Sequence, residues 1–157
     1  MKEIKLTQGF TAQVDDEDYE WLNQFKWCAH LETGNWYAIR QNWHNNKSGI
    51  IRMQRVILNA PYGLLTDHIN RDTLDNRKCN LRLCSKAENS RNRKCTAHSS
   101  KFKGVSWFKR DSNWRAYIGT PQKHLGYFNT DQDAARAYDE VAKKYHGEFA
   151  NLNFKHL

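Results

Sequence analysis

Apolar and polar residues alternate in "EIKLT" and "FTAQV" near the N-terminus, a period of two that predicts short strands, and the apolar, β-branched runs "WYAIRQ" and "IIRMQRVIL" are again strand-like before residue 60. Between them "DDEDYEWLNQF" begins with helix-favouring acids, and "NAPYG" then breaks the pattern with turn formers. Further on, "FKGVSWFKR", "NWRAYIG" and "KHLGYFN" are aromatic and β-branched runs punctuated by "DSN" and "TPQ", which predicts a three-stranded meander. The period then becomes helical. Ala134, Ala137, Tyr138, Val141 and Tyr145 recur behind a Thr130/Asp133 capping box, and Gly147 stands where a C-terminal cap belongs.

One stretch fits neither period: "DHINRDTLDNRKCNLRLCSKAEN", residues 67 to 89, holds many amides, one imidazole and almost no large apolar side chains. Asp67 closes a strand-like run, "NLRLC" reads as a second short strand, and Ser85 with Glu88 forms a capping box that starts a helix with Asn89 in its first turn or so. Asp67 and Asn89 offer a carboxylate and a neutral carbonyl oxygen, hard donors that suit Mg²⁺ or Mn²⁺. His68 leaves the strand from the opposite side, so it can act as a base on water attacking a phosphodiester, with Asn80 accepting from the other ring nitrogen and fixing the tautomer. Taken singly, each residue reads more readily as part of a polar turn than as a catalytic group, and it is the joint spacing that favours the site.

Charge narrows the partner. The 157-residue chain carries a formal +8 with 39% hydrophobic residues, which points to a polyanion and to small cores. That charge is uneven: residues 71 to 110 hold twelve Lys/Arg against three acids, whereas residues 1 to 34 hold three Lys against seven acids. Trp21, Trp27, Trp36 and Trp43 are expected to build a small core. No apolar run approaches the ~20 residues of a membrane span, and the N-terminus lacks the apolar core of a signal peptide, so an intracellular, cytoplasmic protein is expected. Cys28, Cys79, Cys84 and Cys95 include no Cys-x-x-Cys pair, as befits reduced thiols; a zinc site from Cys79, Cys84, Cys95 and His98 matches no common ligand spacing, and structural zinc is not expected.

The Asp67-His68 pair, Asn80 and Asn89, with "LDNRKCNLR" between them, resemble the HNH homing endonucleases of phages and mobile introns. The resemblance implies a ββα-metal motif, Asp67 and Asn89 as ligands of a divalent metal, His68 as general base and Asn80 orienting it. One position departs from that family: relatives usually carry His before the Arg of "MQRVIL", where this chain has Gln54, which cannot exchange a proton at neutral pH. From Lys103 to Phe154 the Gly-Val, Trp-x-Ala-x-Ile, Leu-Gly-x-Phe, Ala-Ala-x-Ala-Tyr-Asp and Asn-x-Asn-Phe elements resemble an AP2 DNA-binding domain, in which three strands face DNA and a helix supports them. Strand alternation agrees, placing Trp114, Ala116 and Ile118 toward the helix and Arg115 and Tyr117 away from it.

An α+β fold is therefore expected. A small N-terminal β-rich region (1–60) leads into a ββα-metal core (61–95), a basic linker follows (96–102), and an AP2-like three-stranded antiparallel sheet packs on one helix (103–157). The expected function is metal-dependent, site-directed cleavage of double-stranded DNA of the homing type, with the AP2 module as anchor; the alternative is a non-catalytic DNA-binding regulator with a decayed HNH module. DNA contacts are expected from Arg77, Arg82, Arg91, Arg93, Lys94, Lys101, Lys103, Ser106, Phe108, Lys109, Arg110, Arg115, Tyr117 and His124. Trp107 fits a core or a DNA-facing place equally. A monomer is expected, with a dimer as the alternative, and neither a membrane nor a small-molecule substrate.

Overall fold

The alternation of the first fourteen residues becomes a hairpin, β1 (Lys2–Lys5) against β2 (Thr11–Val14), that buries Ile4, Ala12 and Val14 and leaves Lys2, Glu3 and Lys5 in solvent. The computed structural model describes residues 1–44, 47–93, 99–119 and 121–154, the side chains of 43, 44, 47 and 48 excepted. Two units divide at Asn89/Ser90.

In the first unit the acidic segment forms α1 (Asp16–Leu22), whose first turn carries Asp16, Glu17 and Asp18, favourable at the positive end of the helix dipole. A meander follows: β3 (Cys28–Glu32), β4 (Asn35–His44) and β5 (Lys47–Arg52), with β4 in the middle. Then the structure departs from the sequence pattern. "IIRMQRVIL" does not continue as a strand; β5 stops at Arg52 and Met53–Ile57 turns into a short helix, α2, because Met53 and Ile57, one turn apart, both reach the core. That core joins Ile4, Leu6, Val14, Leu22, Trp27, Met53 and Leu81, so it spans hairpin, meander and α2. Trp27 is fully enclosed and donates its indole N–H to the Leu22 carbonyl at 2.8 Å. Of the four tryptophans expected in this core, Trp21 and Trp36 pack against it half-buried, and Trp43 lies among the undescribed side chains.

Against this frame lies β6 (Leu65–His68), antiparallel to β7 (Leu81–Cys84) in the register Asp67↔Arg82 and His68↔Leu81. α3 (Lys86–Arg91) follows β7 behind the expected capping box: Ser85 N–H donates to Glu88 Oε2 at 2.8 Å, and Glu88 N–H to Ser85 Oγ at 3.3 Å. Strand, strand and helix thus follow in the order expected.

The second unit contains β8 (Val105–Phe108), β9 (Asn113–Ile118) and β10 (Lys123–Phe128), antiparallel with β9 in the middle, and α4 (Asp131–His146). Thr130 Oγ1 accepts from Asp133 N–H at 3.1 Å as the capping box requires. Ala134, Ala135, Tyr138 and Ala142 form the buried stripe; Tyr145, expected on it, is 58% exposed, and its hydroxyl accepts from Lys123 Nζ at 2.8 Å. Ala116 and Ile118 face the helix and are buried, and Trp114 packs half-buried beside them. Among the described residues no helix is long and apolar enough to cross a membrane.

Gly104 is the tightest point of this unit. Its φ of 73° is one L side chains avoid, and an added Cβ would collide with the Tyr138 ring and lie 2.7 Å from the Tyr117 carbonyl oxygen. Gly104→Ala is expected to destabilise the second unit by about 2–4 kcal/mol, read from denaturant unfolding of the full chain.

Candidate active site and nucleic-acid interface

The stretch that lacked apolar side chains is held by polar ones. Asp75, 2% exposed, takes Arg77 Nε on Oδ1 and Arg77 Nη2 on Oδ2, both at 2.7 Å, and Asn70 Nδ2 on Oδ2 at 2.9 Å. These donors hold its carboxyl below the usual carboxylate range, the Arg77 side chain contributing most. Asp72 accepts from Leu74 N–H, and Thr73 donates to the Trp36 carbonyl, tying the loop to β4. The loop also pairs with β2: Gln13 N–H donates to the Leu74 carbonyl at 2.9 Å, and the Gln13 carbonyl accepts from Asn76 N–H at 2.8 Å. Lys78 reaches the acids of α1, with Nζ 2.5 Å from Glu17 and 3.2 Å from Asp18.

This scaffold sets the end of β6. Asp67 and His68 are 7% and 4% exposed, so only edges of the two side chains reach the surface. His68 Nε2 lies 3.3 Å from Asn76 Oδ1, and the Asn76 amide nitrogen donates to the Leu74 carbonyl at 3.2 Å, which orients the oxygen toward the ring. An acceptor at Nε2 makes Nε2 the protonated nitrogen of a neutral imidazole and Nδ1 the basic one. Burial holds the imidazole below its ordinary pKa, against the Asn76 bond and the charges of Asp67, Asp72 and Asp75, which push it up. A neutral ring at neutral pH is the form a general base needs.

Asn80 does not do what its spacing suggested. Its Oδ1 accepts from Asn70 N–H at 2.9 Å and its Nδ2 donates to the Asp75 carbonyl at 2.8 Å, so it braces the loop while Asn76 meets the imidazole. Asp67 Oδ2 accepts from both Nε (2.9 Å) and Nη2 (2.7 Å) of Arg82, directly across the strand pair, with both side chains about nine-tenths buried. Arg82 and Arg77, expected on phosphates, are therefore engaged with Asp67 and Asp75. Asn89 is half-buried, and its side-chain amide makes no hydrogen bond among the described residues. A carboxylate fixed by an arginine and an uncommitted amide oxygen fit a hard divalent cation in donor type; among the described residues no cluster of three or more His, Cys, Asp or Glu side chains adds to them. Cys95 and His98 of the zinc alternative lie outside the described residues, as does Lys94. Gln54 sits on α2, 2% exposed, with Oε1 unpartnered among the described residues.

On the second unit, the face of the sheet away from α4 carries Ser106, Phe108, Arg115, Tyr117 and His124. Arg115, on the middle strand, donates Nη2 to Ser106 Oγ at 3.3 Å, with its guanidinium 5.7 Å and 5.5 Å from the Phe108 and Tyr117 ring centroids. Tyr127, which is not among the contacts expected from the sequence, belongs here: it pairs with Arg115 across the strands, is 48% exposed, and packs on Phe108 and His124 at 5.4 and 4.6 Å. Strand alternation on "HLGYF" fails to find it because the register shifts between His124 and Gly126. Trp107 is 39% exposed, edge-on to Trp114 at 5.1 Å. Lys101, Lys109 and Arg110 are exposed, Arg110 beside Asp111 at 3.2 Å. Lys103 is not on the open face; its ammonium donates to the carbonyls of Arg91 and Arg93.

Comparison with known proteins agrees with both halves. Residues 59–91 match the HNH endonuclease family. Protein 3.8 of Escherichia phage T7 is 33% identical over 95 residues, 59% of this chain and 78% of the phage protein. An uncharacterized HNH endonuclease of Acanthamoeba polyphaga mimivirus is 27% identical over 141 residues, 80% of this chain and 74% of the viral protein. APETALA2-like protein 2 of Oryza sativa subsp. indica is 40% identical over 60 residues, 37% of this chain; the chain spans 14% of the length of that plant protein.

Asn76, wholly enclosed, faces the imidazole and a backbone carbonyl, so Asn76→Ala is expected to lower the stability of the first unit by about 2–3 kcal/mol in urea unfolding. Cys84 is 2% exposed and its thiol is pushed up to about 11, chiefly by burial, whereas Cys79 is exposed. In the native protein Cys79 is expected to react readily with a disulfide reagent at pH 8 and Cys84 only after unfolding, read by mass spectrometry of the labelled peptides.

Proposed function

Because the chain belongs to the HNH endonuclease family, we propose that it is a metal-dependent DNA endonuclease of the homing type whose β6–β7–α3 segment cleaves and whose AP2-like sheet anchors the duplex. The observation that carries this reading is the imidazole at the end of β6, held toward its neutral form by burial, with Nε2 3.3 Å from Asn76 Oδ1. In that arrangement His68 Nδ1 takes the proton from the water that attacks the phosphorus, and Asn76 steadies the imidazolium that results. Asp67 and Asn89 would hold a divalent ion, Mg²⁺ or Mn²⁺, whose charge would stabilise the phosphoryl oxygen and the departing 3′ oxygen. Arg82 keeps the Asp67 carboxylate in one orientation, and Asn80 keeps the loop beneath it closed.

Selectivity falls to the second unit. An antiparallel sheet presenting Arg115, Tyr117, Phe108 and Tyr127 suits the major groove, while Lys101, Lys109 and Arg110 suit phosphates. Tethering that reader to a cutter raises the cutter's effective concentration near one sequence. One such site in a monomer nicks a strand; two in a dimer break the duplex.

A DNA-binding regulator without cleavage is the second reading, and Gln54 favours it, since an amide stands where relatives usually carry an imidazole. The readings part at His68. His68→Ala is expected to reduce cleavage of supercoiled plasmid about 100-fold or more while duplex affinity stays within about twofold in fluorescence anisotropy. Undiminished cleavage by the variant would remove His68 from the chemistry. Asp67→Ala is expected to weaken Mn²⁺ binding to the DNA-free protein, followed by electron paramagnetic resonance, and unchanged binding would exclude Asp67 as a ligand.

A further inference from the structure

Tyr37 comes to His68 from outside the β6–β7–α3 segment. It lies on β4, opposite His30 of β3, and its ring centroid is 6.4 Å from the imidazole, tilted by 58°. The phenol makes no hydrogen bond among the described residues, and its oxygen is not among their enclosed, unpartnered atoms, so it reaches solvent beside a nearly buried imidazole. Three charges act on it: Glu32 and Arg52, which pair with each other at 2.7 Å, and Asp67 of the candidate metal site. Half-burial, with Glu32 and Asp67 adding, keeps the hydroxyl protonated well past neutral pH, and a protonated phenol is a donor. Packing alone would be served by Phe, whereas a half-buried tyrosine hydroxyl usually finds an acceptor.

We propose that Tyr37 is a substrate-contacting residue of the same site, its O–H donating to a non-bridging oxygen of the DNA phosphate that lies against His68. The inference rests on the nuclease reading above. An ionic phosphate oxygen makes a short, charge-assisted hydrogen bond, and its loss reduces rate or affinity by about tenfold or more. No bond is made or broken by the phenol; it holds the phosphate while water attacks.

The test compares wild type with Tyr37→Phe, which keeps the ring and removes only the hydroxyl, on supercoiled plasmid with Mg²⁺ or Mn²⁺, alongside thermal melting. Tyr37→Phe is expected to melt as wild type does and to lose about tenfold or more in kcat/KM. Equal cleavage by the two proteins overturns the role of Tyr37 and leaves the nuclease reading intact. Loss of activity together with a lowered melting temperature assigns the residue to packing and also overturns the proposal. A wild-type chain inert with both metals overturns the nuclease reading, and the proposal with it.

Discussion

Asp75 is the residue on which the polar loop of the first unit depends. A loop of twelve residues between β6 and β7 has to be held still without an apolar interior, and the carboxylate of Asp75 gathers Asn70 and Arg77 while its carbonyl holds Asn80. An enclosed carboxylate is tolerable only when its lone pairs are met, and here four donors meet them, Arg77 N–H being the longest at 3.4 Å. Once that loop is closed, Asn76 is fixed below the imidazole and the end of β6 has one geometry.

The same bonding changes the meaning of the positive charge. Residues 71 to 110 carry a net +9 in sequence, but Arg77 and Arg82 face Asp75 and Asp67, and Lys78 faces the acids of α1. The excess of acids in the first 34 residues thus has a local use: it neutralises a cation of the loop and ties the N-terminal helix to it. In the second unit Lys103 is likewise engaged with backbone carbonyls, whereas Lys101, Lys109 and Arg110 stay exposed. The sheet face that remains is aromatic around one guanidinium, Arg115, which suits orientation against bases more than bulk attraction to phosphate.

Local signals were legible and long-range ones were not. Ser85 with Glu88, and Thr130 with Asp133, announce helix starts because each partner is only three residues away, and both capping arrangements form. The alternation of "NWRAYIG" likewise placed Ala116 and Ile118 inside. The short strand β3 carries no clear alternation in sequence, and "MQRVI" has the composition of a strand, since five residues do not separate the two periods and tertiary burial of Met53 and Ile57 decides. Asn80 and Asn76 are equivalent amides in sequence; pairing of the loop with Gln13, more than sixty residues earlier, selects which one reaches His68. Tyr37 is invisible for the same reason, as its neighbour in space is thirty-one positions away.

The role proposed for the polar segment after β6 is cleavage of DNA. The most direct measurement is incubation of the purified wild-type chain with supercoiled plasmid, once with Mg²⁺ and once with excess EDTA. Open-circular or linear product that forms only with the metal is the predicted result. Plasmid left supercoiled at every metal and protein concentration, by protein that still binds duplex DNA, would contradict it and leave a binding protein in its place.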